Sequence, residues 1–419
     1  MEQTIRIERM GYGSEAVGRL DDGKAVFVEQ AAPGDVVAVE VVEDKPTYAR
    51  ARVVRIEEES PLRARPFCEV GGVCGGCPWQ HLSYEAQLSA KRDNVVAALT
   101  RTAHFDAARA DELVGDCLPS KRQVGYRNKL ELAASTTADG SLALGFAREG
   151  SHEPVVPASC PVAVSLIQKE PKALRGALRF LSGSQDLGIF RVGVRGSVRT
   201  KDVEIALWTV PGAFPRAAVA KTLGSALKVA SVVRVLADPG KARKVKKVEV
   251  LSGKGFWEED LGGYRFRTSA PSFFQVNTAQ AEKLVGAVVE GLKEGSSDGL
   301  SGMLVADLYA GGGTFSIPLA REGADVVMDV PVSIAEAALG ASVVVPAPDG
   351  TKVRVKIPAG TQDGAKLTIR GKGAPKVKGE GTGDLRIVVK VAVPRTMNDK
   401  QRAAMEDFLA ATTEKVRSW

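Results

Sequence analysis

Histidine is almost missing from this chain of 419 residues: only His81, His104 and His152 occur, far apart in sequence. That excludes a histidine-rich metal site. Cysteine is scarce too. Five in the whole chain cannot form a disulfide scaffold for a protein of this length, and they suit a reducing compartment. No run of 18 apolar residues occurs, which excludes an ordinary membrane-spanning helix and a membrane partner of that kind. The opening MEQTIRIERM has no apolar h-region, so no secretory signal is expected and a cytoplasmic location is. What is present suffices for packed cores: 44% of residues are hydrophobic, and the length predicts two to four domains. The net charge of +7 permits a polyanionic partner without requiring one.

The few cysteines are unevenly placed. Cys68, Cys74 and Cys77 fall within Cys68-Glu-Val-Gly-Gly-Val-Cys74-Gly-Gly-Cys77-Pro-Trp79-Gln80. The intervening glycines allow close backbone approach. Cys160, followed by Pro161, lies far along the chain. Three clustered thiolates and one remote suit a [4Fe–4S] cluster, with a Cys₄ zinc site as the alternative. Cys117 is left as a structural thiol.

Residues 1 to 58 read as short strands punctuated by turns at Asp21-Asp22-Gly23 and Pro33-Gly34-Asp35, the pattern of a small β-barrel. Tyr12, Lys24, Lys45, Tyr48 and Arg50 are candidates to stack on a base or meet a phosphate there. Pro61 to Pro66 reads as a linker, and Tyr84 to Thr100 as a helix with Leu88, Val95, Val96 and Leu99 on its apolar face. Mixed strand and turn patterns follow to about 260; the basic run from Lys241 to Lys247 is a phosphate contact or a solvated turn. Residues 278 to 294 have strong helical periodicity. Met303 to Tyr309 is an apolar strand that runs into Ala310-Gly311-Gly312-Gly313; a short helix from Thr314 and a second strand, Ala324 to Val327, complete a β-loop-α-β unit. A glycine loop between strand and helix points to a nucleotide-type ligand or is simply a tight turn.

These motifs carry a resemblance. The cysteine run with Cys160, then Tyr126-Arg127-Asn128-Lys129, Ser272-Phe273-Phe274-Gln275-Val276-Asn277 and Asp307-Leu308-Tyr309-Ala310-Gly311-Gly312-Gly313-Thr314 closely resemble the iron–sulfur RNA uracil-5-methyltransferases over roughly residues 1 to 327. The resemblance implies a TRAM (OB-like) RNA-binding barrel at 1–58. It implies an α+β central domain at 59–275 with a [4Fe–4S] cluster on Cys68, Cys74, Cys77 and Cys160, and with Arg127 and Lys129 on the RNA. At 276–327 it implies the start of a Rossmann-like S-adenosylmethionine domain, with Gln275, Tyr309, Gly311 and Gly313 as cofactor ligands. The RNA would be an rRNA or a tRNA.

From Met328 the pattern changes. Asp329 to Pro394 reads as strand, turn, strand, loop, strand, and Asn398 with Gln401 can cap a last helix. Residues 328–419 resemble the last β-domain of DnaJ-type co-chaperones, in which such a helix pairs two subunits. The fold expected is therefore a multidomain α+β and all-β chimera that joins near 326–330. The family activates uracil carbon 6 with a cysteine thiolate and removes the carbon-5 proton with a carboxylate. No cysteine follows Cys160, so no catalytic residue is assigned. The expected function is RNA and cluster binding with cofactor affinity weakened or lost. The alternatives are a peptide-binding or homodimerising module that uses the tail, and an active methyltransferase. The strands around Val305 and Val326, with the helix of Phe315, Ile317 and Leu319, are expected to lack covering neighbours.

Overall fold

The computed structural model describes all residues except 1, 138–140, 152, 184–185, 227–228, 241–243, 296–299, 301–304, 306, 308–309, 322–325, 348–350, 374–383, 395 and 414–419. They form two compact units, Met1–Glu282 and Lys283–Trp419.

The first unit opens with a closed barrel of β1 (Glu2–Met10), β2 (Ala16–Arg19), β3 (Ala25–Val28), β4 (Val36–Asp44) and β5 (Tyr48–Glu58), in the order β1-β2-β3-β5-β4. Strict alternation drives it: Ile5 and Ile7 point inward while Arg6 and Glu8 face solvent. Closure depends on the parallel pair β3 and β5, which leaves no free edge. Helix α1 (Tyr84–Arg101) begins at Ser83, whose side chain accepts a bond from the Ala86 backbone N–H. Its buried residues are Ala86 and Ala90, packed with Leu82 on the barrel core. Of the apolar face expected, Leu88, Val96 and Leu99 are half-buried, whereas Val95 is 51% exposed. The fully buried contact is made by the small alanines, which let the helix approach closely. A short α2 (Ala107–Leu113) follows, capped by Asp106.

A seven-stranded sheet forms the body of the unit, from β6 (Lys129–Thr136), β7 (Leu142–Ala147), β8 (Pro154–Val155), β9 (Ile189–Gly196), β10 (Val203–Thr209), β11 (Ser231–Leu236) and β12 (Lys247–Gly253). The spatial order is β12-β11-β10-β9-β6-β7-β8. Helices α3 (Glu170–Ser182) and α4 (Arg216–Ala226) cover it, and α4 makes the crossover between the parallel strands β10 and β11. Strand β10 is buried at every residue, as expected of a central strand covered on both faces. The hairpin β13 (Trp257–Leu261) and β14 (Tyr264–Thr268) leads to helix α5 (Thr278–Glu294), the helix expected at those residues.

The second unit holds α6 (Ser316–Arg321), β15 (Val326–Ser333), α7 (Ile334–Leu339), β16 (Ala341–Pro346), β17 (Lys352–Ile357), β18 (Lys366–Ile369), β19 (Leu385–Ala392) and α8 (Asp399–Ala411). Of the strand expected at 303–309, residues 303, 304, 306, 308 and 309 lie outside the described residues. The strand expected to stop at Val327 instead continues to Ser333 and pairs in parallel with β19 along its whole length, from Val326↔Leu385 to Ser333↔Ala392. It is therefore not left without a neighbour. Val330 and Val332 are buried with Leu385, Ile387 and Val389, and Leu319 of α6 is buried as well. Helix α7 starts with a full capping box, Ser333 with Glu336. Asn398 and Gln401 form a second one at α8, as the sequence suggests. No residue of α8 is buried, and Phe408 and Leu409 are 64% and 74% exposed.

Candidate functional site

The cysteine loop lies between the linker and α1. It is tied internally by Gly71 N–H to Cys68 O and Cys74 N–H to Val70 O, and to the sheet by Gly75 N–H to Ala147 O and Glu149 N–H to Val73 O. Glycine is required at 71, where a β-carbon would stand 2.6 Å from Pro66 Cβ, and at 72, where φ is +78°. Cys68, Cys74, Cys77 and Cys160 all line one cavity of about 560 Å³, with Arg127, Phe146 and Glu149 also on its wall. All four are free thiols and half-buried. Burial raises the pKa of Cys74 and Cys77 and pushes Cys160 up to about 11, with neighbouring cysteines adding to the effect. Such thiols stay protonated at neutral pH and are poor nucleophiles on their own. Among the described residues no group of three or more His, Cys, Asp or Glu side chains is arranged to hold a metal ion. The donor set, four soft sulfur ligands around one cavity, fits a thiolate-bound iron–sulfur cluster chemically.

The other two front motifs meet beside this cavity. Arg127 lines it, and the Arg127 backbone bridges both Ala163 and Asn277. Asn128, 3% exposed, donates from Nδ2 to the Gln275 carbonyl at 2.9 Å and to Thr278 Oγ1 at 3.1 Å; its backbone N–H reaches Val276 O at 2.8 Å. Thr278 in turn donates to the buried Glu259, which also accepts from Ser197. Arg195 is 3% exposed, donates to the carbonyls of Ser269 and Ser272, and stacks on Trp257. Phe274 is buried against Trp257, whereas Phe273 is 75% exposed. So the loop carrying Gln275 is held by Asn128, Arg195 and Phe274, and Gln275 itself is half-buried.

Lys129 is 18% exposed and paired with Glu131 at 2.7 Å. Burial lowers its pKa against the pull of Glu131, and its burial and ion pair leave little of the side chain open to solvent. Arg195 and Glu259 were not legible as site residues. The available signal was a charge inside a strand-like run, as in Val192-Gly-Val-Arg195. Glu204, on the adjacent strand, is another such residue: burial pushes its carboxyl up to about 7, and its Oε2 has no hydrogen-bond partner among the described residues.

In the second unit, Gly311 and Gly313 adopt φ of +56° and +75° and turn the chain into α6. Ser316 donates through its N–H and Oγ to Asp307 Oδ2. Tyr309 lies outside the described residues. On the barrel, most of the proposed RNA contacts are already paired: Lys24 with Asp44, Lys45 with Glu43, and Arg50 with Glu15 and Glu43. Tyr48 packs edge-on against Phe27. Of the basic run, 241–243 lie outside the described residues, and Lys246 and Lys247 pair with Asp238 and Glu249.

Known proteins resemble this chain along most of its length. The TRAM domain model matches residues 1–54 and the DnaJ C terminal domain model residues 314–394. An uncharacterized RNA methyltransferase of Thermosynechococcus vestitus is 31% identical over 331 residues, 77% of this chain and 71% of that protein. The 23S rRNA (uracil(1939)-C(5))-methyltransferase RlmD of Shewanella amazonensis is 30% identical over 344 residues, 81% of this chain and 72% of that one. Among solved structures, the tRNA (uracil-54, C5)-methyltransferase of Pyrococcus abyssi, in complex with S-adenosyl-L-homocysteine, superposes with a TM-score of 0.56 at 25% identity. It covers 78% of this chain and 72% of its own. That likeness and the closed five-stranded barrel give a methyltransferase-like fold with an N-terminal TRAM barrel.

Proposed function

Because this chain belongs to the RNA uracil-5-methyltransferase family, we propose that it binds RNA through its first unit and holds a [4Fe–4S] cluster on Cys68, Cys74, Cys77 and Cys160, but does not complete methyl transfer. One observation carries the last part. The strand Val326–Ser333, where the resemblance calls for further cofactor-binding sheet, is paired along its whole length with Leu385–Ala392 of the co-chaperone-like tail. Gln275, held in place by Asn128, is our choice of cofactor ligand in the first unit, and Gly311 and Gly313, which turn the chain into α6, are our choices in the second; S-adenosylmethionine affinity is weak or lost. Arg127 faces the cysteine cavity and, with Lys129, is our choice for RNA contact. When bound, the cluster supplies a cross-link between Cys160 and the loop from Cys68 to Cys77; the chain's own residues bind and orient the RNA. The substrate class is rRNA or tRNA, in a cytoplasmic setting.

The test uses the full chain purified without oxygen. About four irons per chain are expected from the cluster type, with loss of iron in Cys160→Ser. RNA retention should fall linearly in log K against log salt. Stoichiometric zinc without iron, or no RNA retention at low salt, would refute the corresponding half.

A second reading concerns assembly and rests on α8, whose Phe408 and Leu409 are exposed on a fully capped helix. The full chain should sediment as a concentration-dependent dimer and Phe408→Asp as a monomer. A wild type that stays monomeric at high concentration removes this reading. The peptide-binding alternative has no comparable observation behind it.

A further inference from the structure

Tyr12 is 96% exposed at the tip of the turn between β1 and β2, yet that turn is tied down. Gly11 N–H donates to Glu15 O at 2.8 Å. The Trp79 indole donates to Gly13 O at 3.0 Å, and Asn94 Nδ2 to Gly11 O at 3.0 Å. The two tethers bracket Tyr12 from opposite sides, one from the cysteine loop and one from α1. A groove of about 620 Å³ opens between them, lined by Tyr12, Trp79, Lys91, Asn94 and Val95 among others. Trp79 is half-buried, with its other edge packed on the barrel core. Lys91 is exposed and has no ion-pair partner among the described residues, unlike Lys24, Lys45 and Arg50. Lys91 and Val95 are four residues apart and so share one face of α1.

We propose that this groove seats one unstacked nucleobase of the bound RNA, against the Tyr12 and Trp79 rings, with Lys91 meeting the adjoining phosphate. The inference rests on the RNA-binding reading and adds to it a specific subsite. Two flat aromatic surfaces and a cation at the rim suit a base and its backbone, because every base offers a π-face and each nucleotide brings one negative charge. A tethered turn matters here: backbone already fixed beneath the ring loses little freedom when a base arrives. Stacking on such a platform tolerates any base, so the subsite contributes affinity and register more than sequence choice.

The experiment is fluorescence anisotropy of the full chain with a labelled single-stranded, uridine-containing RNA across a salt series. Tyr12→Ala should weaken binding about 5- to 150-fold, the range that alanine replacement of a stacking residue gives, with the salt slope unchanged. Tyr12→Phe should bind as the wild type does. Lys91→Gln should reduce the slope by about 0.7, the value of one single-strand phosphate contact. Because Tyr12 is exposed, its replacements should fold, and circular dichroism checks this. If the wild type binds RNA and Tyr12→Ala binds equally well, the groove is not a base site while the RNA reading stands. If the wild type itself retains no RNA at low salt, the RNA reading fails and takes the groove with it.

Discussion

Given S-adenosylmethionine with a tritiated methyl group and a uridine-containing RNA, the purified full chain should leave carbon 5 unlabelled. Carbon 5 of uracil is a weak nucleophile until a thiolate adds to carbon 6, so the reaction needs one more cysteine than the proposed four-thiolate cluster would take. Four of the five cysteines line the cavity of about 560 Å³. The fifth, Cys117, is half-buried in an adjoining cleft that Cys77 also lines, with Tyr126, Asn277 and Gln280 on its walls. Loss of one member of a covalent catalytic unit lowers turnover by about 10⁴- to 10⁶-fold, which puts label incorporation below detection in this assay. Formation of 5-methyluridine that disappears in Cys117→Ser would overturn the expectation and identify Cys117 as the nucleophile.

The second large effect is on stability. Asp35 is fully buried at the foot of the barrel, and Arg63 of the linker reaches it with Nε and Nη2, at 2.9 and 2.7 Å. The Ala32 and Ser60 backbone N–H groups complete the carboxylate's bonds, and Arg63 also donates to Gln30 O. Removing one partner of such a pair strands a buried charge, so Asp35→Ala should lose about 3–5 kcal/mol in urea unfolding. A loss under about 1 kcal/mol would show that the pair is dispensable. Burial on its own would raise the Asp35 pKa, but the bonds from Arg63, Ser60 and Ala32 outweigh it and hold the carboxyl below its ordinary value of 3.8. The folded state therefore binds this proton less readily than the unfolded chain does. Its stabilisation is present above the ordinary carboxylate pKa and is lost as pH falls through the lower folded value. Stability of the wild type should drop in that acid window, and Asp35→Asn should flatten the drop. The same substitutions should loosen the cysteine loop, since Arg63 sits in the segment that leads into it.

Local pattern carried much of this molecule. Alternation at Ile5, Arg6, Ile7 and Glu8 shows a two-sided strand, and periodicity places α5 at 278–294 and α1 within one residue of Arg101. Cysteine spacing singles out the cluster of Cys68, Cys74 and Cys77, and the remote Cys160 lines the same cavity. What periodicity does not carry is the choice of packing face: α1 buries Ala86 and Ala90 because close approach to a barrel favours small residues, and an apolar count points to Val95 instead. Nor does it carry pairing between distant segments. Asn128 and Gln275 bond across 147 positions, and the extension of β15 to Ser333 depends on a partner at Leu385–Ala392. Arg195 inside an apolar run reads as a fault in the pattern until the carbonyls of Ser269 and Ser272 are seen to surround it.

The parallel match of Val326 with Leu385 also sets a timetable for synthesis. The first strand leaves the ribosome 59 positions ahead of the strand that completes it. At 5–20 residues per second this is an interval of about 3–12 s. Throughout it, Val330 and Val332, only 6% and 2% exposed in the finished protein, have no sheet to enter. Non-local parallel pairing is slow to form even once both strands are available. The nascent chain therefore carries an exposed, unpaired strand for seconds before its partner emerges. Slower translation lengthens that window, and soluble yield in cells should fall with it, whereas cooling the finished protein should have no such effect.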